Sequence, residues 1–185
     1  RTAAALAARI VVLFAIIVAA PGPALAGDAE VKTAHVHARG DVPREDLEAY
    51  CALAEAVWPQ WKAYFGEEPP KNRMPLELDV RMDRKGFLDA VHRVGVLGTL
   101  PAAGGYYDPR SRLSFLYRQP HPTSTRLLVL HELTHQYQYK ALQDDVPDRS
   151  PLWHREGLAE RFGYHRRLGE KVEIGAYDIV SIDDR

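Results

Sequence analysis

The chain has 185 residues, enough for one domain with a substantial core. Its 24 Lys and Arg nearly balance 25 Asp and Glu, and a formal net charge of -1 gives no basic excess, so a nucleic-acid partner is not expected. Hydrophobic content of 46% is that of a globular protein, and a lone cysteine, Cys51, rules out an intrachain disulfide. Any metal site must therefore be built from histidine and carboxylate.

The N-terminal stretch reads as a signal peptide. Arg1 and Arg9 flank small residues, "IVVLFAIIVAA" at 10–20 is apolar without a break, and Ala24-Leu25-Ala26 forms a small-residue cleavage site. The apolar run is short for a spanning helix. The expectation is a signal peptide over 1–26 and a mature domain over 27–185, exported by secretion or to the cell envelope or periplasm. Membrane contact is expected only through an uncleaved signal segment. Arg1 in place of Met, and the unpunctuated "YDIVSIDDR" at the end, suggest a fragment with more sequence beyond Arg185.

In chain order, "VKTAHVHARG" alternates as one strand with His35 and His37 on the same face, read as polar residues facing solvent. Pro43 opens a long helix with Leu47, Cys51, Leu53, Ala54, Val57, Trp58 and Trp61 along one stripe, crossed by Pro59 and ended by Gly66. Cys51 reads as a small buried hydrophobe. Residues 76–82 alternate as a strand, and Asp83 caps a short helix. "TLPAAGGYYDPRSR" reads as loop and turn. "RLSFLYR" is a strand with Leu113, Phe115 and Tyr117 on one face, and a helix is expected over about 126–140. Ser150 and Pro151 start a last helix running to about Arg167. This order of elements predicts an α+β fold.

The chemistry lies in "LHELTHQ". His131 and His135 stand four apart, one turn above each other on a helix, so both imidazoles can address one ion. Glu132 is rotated off that axis, where it can reach a water on the metal. In the next helix, "SPLWHREGLAERFGYH", Glu156 and Glu160 also stand four apart. Glu156 can complete a two-histidine, one-carboxylate zinc site with an open fourth position, as catalytic sites have. Glu160 can accept the outer N–H of a ligating histidine, His131 being the expected one. Gly157 is read as the point where the two helices approach closely.

"HELTHQ" followed by "PLWHREGLAERF" resembles the gluzincin metallopeptidases. With "AGGYYDPRSRLSFLY" included, it is most similar to the peptidase-MA-like family called DUF1570, over about residues 31–167. The resemblance implies a zincin-like domain, a small mixed sheet packed on the metal helix and a following Glu-bearing helix. It implies Zn2+ held by His131, His135 and Glu156, with Glu132 as general base. Arg161 departs from it, standing where many relatives show tyrosine. The function expected is an exported zinc-dependent metallopeptidase, cleaving peptides or proteins with a zinc-bound water. The alternative is a zinc-binding, non-hydrolytic recognition module for peptide or cell-wall material. Tyr106, Tyr107, Tyr164, Tyr177 and His154 are open candidates for an oxyanion donor. "RLSFLY" is the expected cleft edge, where an extended peptide could add as a strand.

Overall fold

The computed structural model describes residues 28–96, 104–142, 149–169 and 171–176. The signal-peptide expectation and Tyr177 lie outside the described residues. Among the described residues, no helix is long and apolar enough to cross a membrane.

The fold is mixed α+β. Strand β1 (Ala29–Lys32) forms a hairpin with β2 (Val36–Gly40), and α1 (Arg44–Phe65) leads into β3 (Leu76–Arg81). Helix α2 (Arg84–Arg93), strands β4 (Gly105–Asp108) and β5 (Leu113–Tyr117), then helix α3 (Pro122–Ala141) follow. Helix α4 (Leu152–Gly163) ends in a small hairpin of β6 (His165–Leu168) and β7 (Lys171–Ile174). The main sheet has the order β1-β2-β3-β5-β4. Its three middle strands run parallel and both edge strands antiparallel.

Alternation within each strand sorts side chains onto two faces. Leu76, Leu78, Val80 and Leu116 meet α1 and α3 in the main core. Leu113 and Phe115 face the other way, onto Phe87, Ala90 and Val91 of α2, with Tyr106 and Tyr117 at the margin. Beside them, buried Asp79 binds both Arg81 and Arg39, and Arg81 also reaches Asp28. Close strand packing fixes Gly40, where a Cβ would lie 1.8 Å from the Val80 carbonyl oxygen.

Helix α1 follows the expected stripe, every residue of it buried, and Gly66 closes it in the left-handed conformation. Cys51 is buried in the core, which pushes its thiol up to about 11. The indole N–H of Trp61 donates to Thr134 Oγ1 at 3.0 Å, and Trp58, Trp61, Phe65, Tyr137 and Phe162 share ring contacts between α1, α3 and α4. These contacts set α3 against α1.

Several expectations need correction. The strand expected over 31–40 is two strands, because Thr33 closes a tight turn onto the Val36 carbonyl through both its N–H and its hydroxyl. His35 sits in that turn, stacks on Trp58 at 4.0 Å and binds Glu55. His37 lies between Glu30 and Glu77. Neither is a free solvent-facing histidine, since folding supplies carboxylates that are distant in sequence. Helix α3 begins one turn earlier than expected, with Pro122 in its first turn. Helix α4 ends at Gly163, and its N-cap is Pro151 rather than Ser150, with no side-chain cap. The stretch read as loop contains β4, whose hairpin with β5 turns at Asp108, where the carboxylate accepts the Ser111 N–H at 3.0 Å.

Helix α3 is central, so its polar residues must find partners inside. Lys140 is buried and donates to the Pro75 carbonyl at 2.6 Å. Burial lowers its pKa to about 8, against 10.5 for a free lysine. Between those values the unfolded chain binds the proton and the folded chain does not, so stability rises with pH across that window. Comparing wild type with Lys140→Met by denaturant unfolding at pH 8 and pH 10 checks this. Wild type is expected to gain on the variant by up to about 2–3 kcal/mol between the two.

Candidate metal centre

Two turns of α3 and the first turns of α4 build the site. His131 and His135 project from one face of α3, and their Nε2 atoms lie 3.2 Å apart. Glu156 of α4 brings its Oε2 to 3.3 Å from His131 Nε2 and 3.5 Å from His135 Nε2. Their donor atoms form the one possible metal-holding group found among the described residues. The three residues expected from the sequence thus come together in space.

The donor set fits a tetrahedral ion. Ligand atoms held at about 2.0–2.1 Å from zinc stand about 3.3–3.4 Å from one another. The observed triangle has edges of 3.2, 3.3 and 3.5 Å. Two imidazole nitrogens and a carboxylate oxygen this close need something positive among them, a proton or a metal ion. Both histidine side chains are largely buried, at 13% and 12% exposure, which makes that demand stronger.

The electrostatics follow from this crowding. Hydrogen bonds from His131 and His135 hold the Glu156 carboxyl well below the usual range. Burial pulls His131 down, but Glu156, Glu132 and Glu160 together outweigh it and the net direction is up. Burial lowers His135, reinforced by the charges of His131 and Arg155. Glu132 is buried beside the triad, and desolvation pushes it up to about 7. A cation bound at the triad would act on it in the opposite sense.

Glu132 is held by β4, the strand that sequence reasoning missed. A Cβ at Gly105 would lie 2.6 Å from Glu132 Oε1 and 2.8 Å from its Cγ, so any side chain here would displace the carboxylate. The backbone N–H of Tyr107 bonds to the same carboxylate. Gly105 and Tyr107 face α3, while Tyr106 packs on the α2 side. The signal for this strand was Gly-Tyr-Tyr-Asp followed by a turn and a strand, a hairpin pattern.

Two further expectations change. Strand β5 is interior, paired on both sides, and among the described residues the sheet edge beside the centre is β4. A Cβ at Gly157 would meet nothing within 4 Å, so that glycine does not mediate helix approach. Gly163 does, since a Cβ there would meet the Leu127 carbonyl oxygen at 3.2 Å. Glu160 acts on His131 through its charge, but no hydrogen bond joins them, and His131 Nδ1 is buried without a partner. Tyr164 caps the far end of α4, two turns past Glu156. His154 is exposed beside Trp153. Tyr107 is buried against Tyr139, whose hydroxyl accepts from Arg155 at 2.9 Å, a residue the sequence did not single out.

Comparison with protein-family models, curated proteins and solved structures gives no match.

Proposed function

We propose that this chain is an exported zinc-dependent metallopeptidase with a zincin-like domain of the gluzincin type. The observation that carries the proposal is the triad of His131, His135 and Glu156 at tetrahedral separations, with buried Glu132 one residue along the same helix. Export rests on the signal-like residues 1–26.

Zinc at this triad would polarise a substrate carbonyl and acidify water. Glu132 is the proton carrier. It takes a proton from the attacking water and returns it to the leaving amine nitrogen. The wall at Gly105 and the Tyr107 N–H hold its carboxylate in place. Glu160, one turn beyond Glu156, adds negative charge near His131.

A peptide substrate is favoured by β4. Among the described residues, its outer edge pairs with no strand, and its α3-facing side packs on Glu132. An extended peptide added there would run past the triad with its backbone held by strand hydrogen bonds.

Metal content of the purified full chain tests the reading, measured by elemental analysis beside His131→Ala and Glu156→Ala. About one zinc per chain in wild type, lost in both variants, is expected. A folded wild-type chain that takes up no zinc on reconstitution would overturn it. Zinc retained by Glu156→Ala alone would remove the third ligand.

A further inference from the structure

Helix α4 starts against local rules. It has no side-chain N-cap and no acidic residue in its first turn, where such residues stabilise a helix. It places Leu152 and Trp153 there instead, 63% and 75% exposed, the two most exposed large hydrophobics among the described residues. The other tryptophans, Trp58 and Trp61, are buried in the core. Local departures of this kind cluster at functional sites.

Their position gives them a use. Leu152 and Trp153 precede Glu156 by four and three residues, so both neighbour it on the helix surface, with Cβ atoms about 5–6 Å away. Glu156 in turn reaches both histidines of the triad. His154 sets its ring edge-on to the indole at 5.8 Å. The patch is two side chains wide. That is far below the roughly 800 Å2 per partner of a stable protein interface, and it matches one substrate side chain.

We infer that Trp153 and Leu152 form a subsite for a bulky apolar side chain, aromatic above all, of a peptide bound at the metal centre. The inference rests on the metallopeptidase reading and narrows its substrate class. An aromatic ring stacked on the indole gains contact beyond simple area burial, and a methyl group in its place gains almost none.

The test uses the full chain loaded with zinc and carrying Glu132→Gln, so that bound peptide is not turned over. Two blocked, uncharged peptides of equal length are titrated, one with a central phenylalanine and one with a central alanine. Tryptophan emission and acrylamide quenching are read. Trp153 is the exposed indole, so it dominates the red edge and the quenching. The phenylalanine peptide is expected to bind about tenfold more tightly, to shift emission to the blue and to protect the indole. Trp153→Ala should abolish the preference at unchanged zinc content, and Trp153→Phe should keep most of it. If the peptides bind with unchanged emission, or the preference survives in Trp153→Ala, the subsite is overturned while the metallopeptidase reading stands. If zinc is held but neither peptide binds, the peptide reading falls and the subsite with it. Absence of zinc removes the metal centre itself.

Discussion

Glu132→Gln is expected to hold about one zinc per chain and to hydrolyse peptides at least about a hundredfold more slowly than wild type. The amide is nearly isosteric with the carboxylate and leaves His131, His135 and Glu156 untouched, so the metal should stay. It cannot take up a proton, so the transfer to the leaving amine has no carrier. Gly105→Ala provides a second route to the same loss. Its Cβ would stand 2.6 Å from Glu132 Oε1 and 3.0 Å from Cδ, so the side chain must swing away. A displacement of about an ångström costs on the order of a hundredfold in rate. Zinc content with single-turnover hydrolysis checks both variants together. A Glu132→Gln chain that cleaves peptides at the wild-type rate would remove the general base from the proposal. Zinc lost in either variant would place that side chain's role in the structure of the site.

Gln136→Met is expected to destabilise the chain by about 2–4 kcal/mol and to loosen the metal centre with it. Gln136 is fully buried on α3, next to His135. Its Oε1 accepts the Glu77 N–H of β3, and its Nε2 donates to the Glu77 carbonyl at 2.8 Å and to Ser114 Oγ at 3.0 Å. Ser114 in turn donates to the Glu132 carbonyl at 3.1 Å. The amide thus acts as one more peptide group at the end of the parallel ladder, tying α3 to β3 and β5. Methionine fills the space but leaves both backbone groups of Glu77 without their partner. Denaturant unfolding of the zinc-free chain measures the stability loss, and competition with a chelator measures zinc affinity. Gln136→Glu should be destabilised as well, because it keeps the acceptor and loses both donated bonds. Stability unchanged in Gln136→Met would show that the helix is held by its apolar contacts alone.

Parts of the fold were legible because they depend on local periodicity. The stripe of α1 from Leu47 to Trp61 repeats with the helix, and all of it is buried. The alternation of Leu113, Phe115 and Tyr117 places them together on the α2 face. Asp83 caps α2 by accepting the Gly86 N–H at 2.8 Å. The hairpins were harder to see. Strand β4 is four residues long and begins with glycine, which carries no strand preference of its own. Its existence depends on pairing with β5, a contact that its own residues do not announce. The same holds for β6, which the helical reading through Arg167 overran, and for its partner β7 beyond it.

The spacing of His131 and His135, and of Glu156 and Glu160, is a matter of helix geometry, so the sequence alone determined which side chains share a face. It also limited the chemical character of a candidate metal site, since a single cysteine leaves histidine and carboxylate as the expected donor types. Tertiary structure decided what surrounds them. It brought Glu156 to 3.3 Å and 3.5 Å from the two imidazoles across two helices. It made β4 rather than β5 the sheet edge, chose Gly163 over Gly157 as the point of close approach, and gave Glu132 its glycine wall. The physical reason is that periodicity is written into the backbone of one segment, while burial, strand neighbours and side-chain clearance arise only when distant segments pack at a common density.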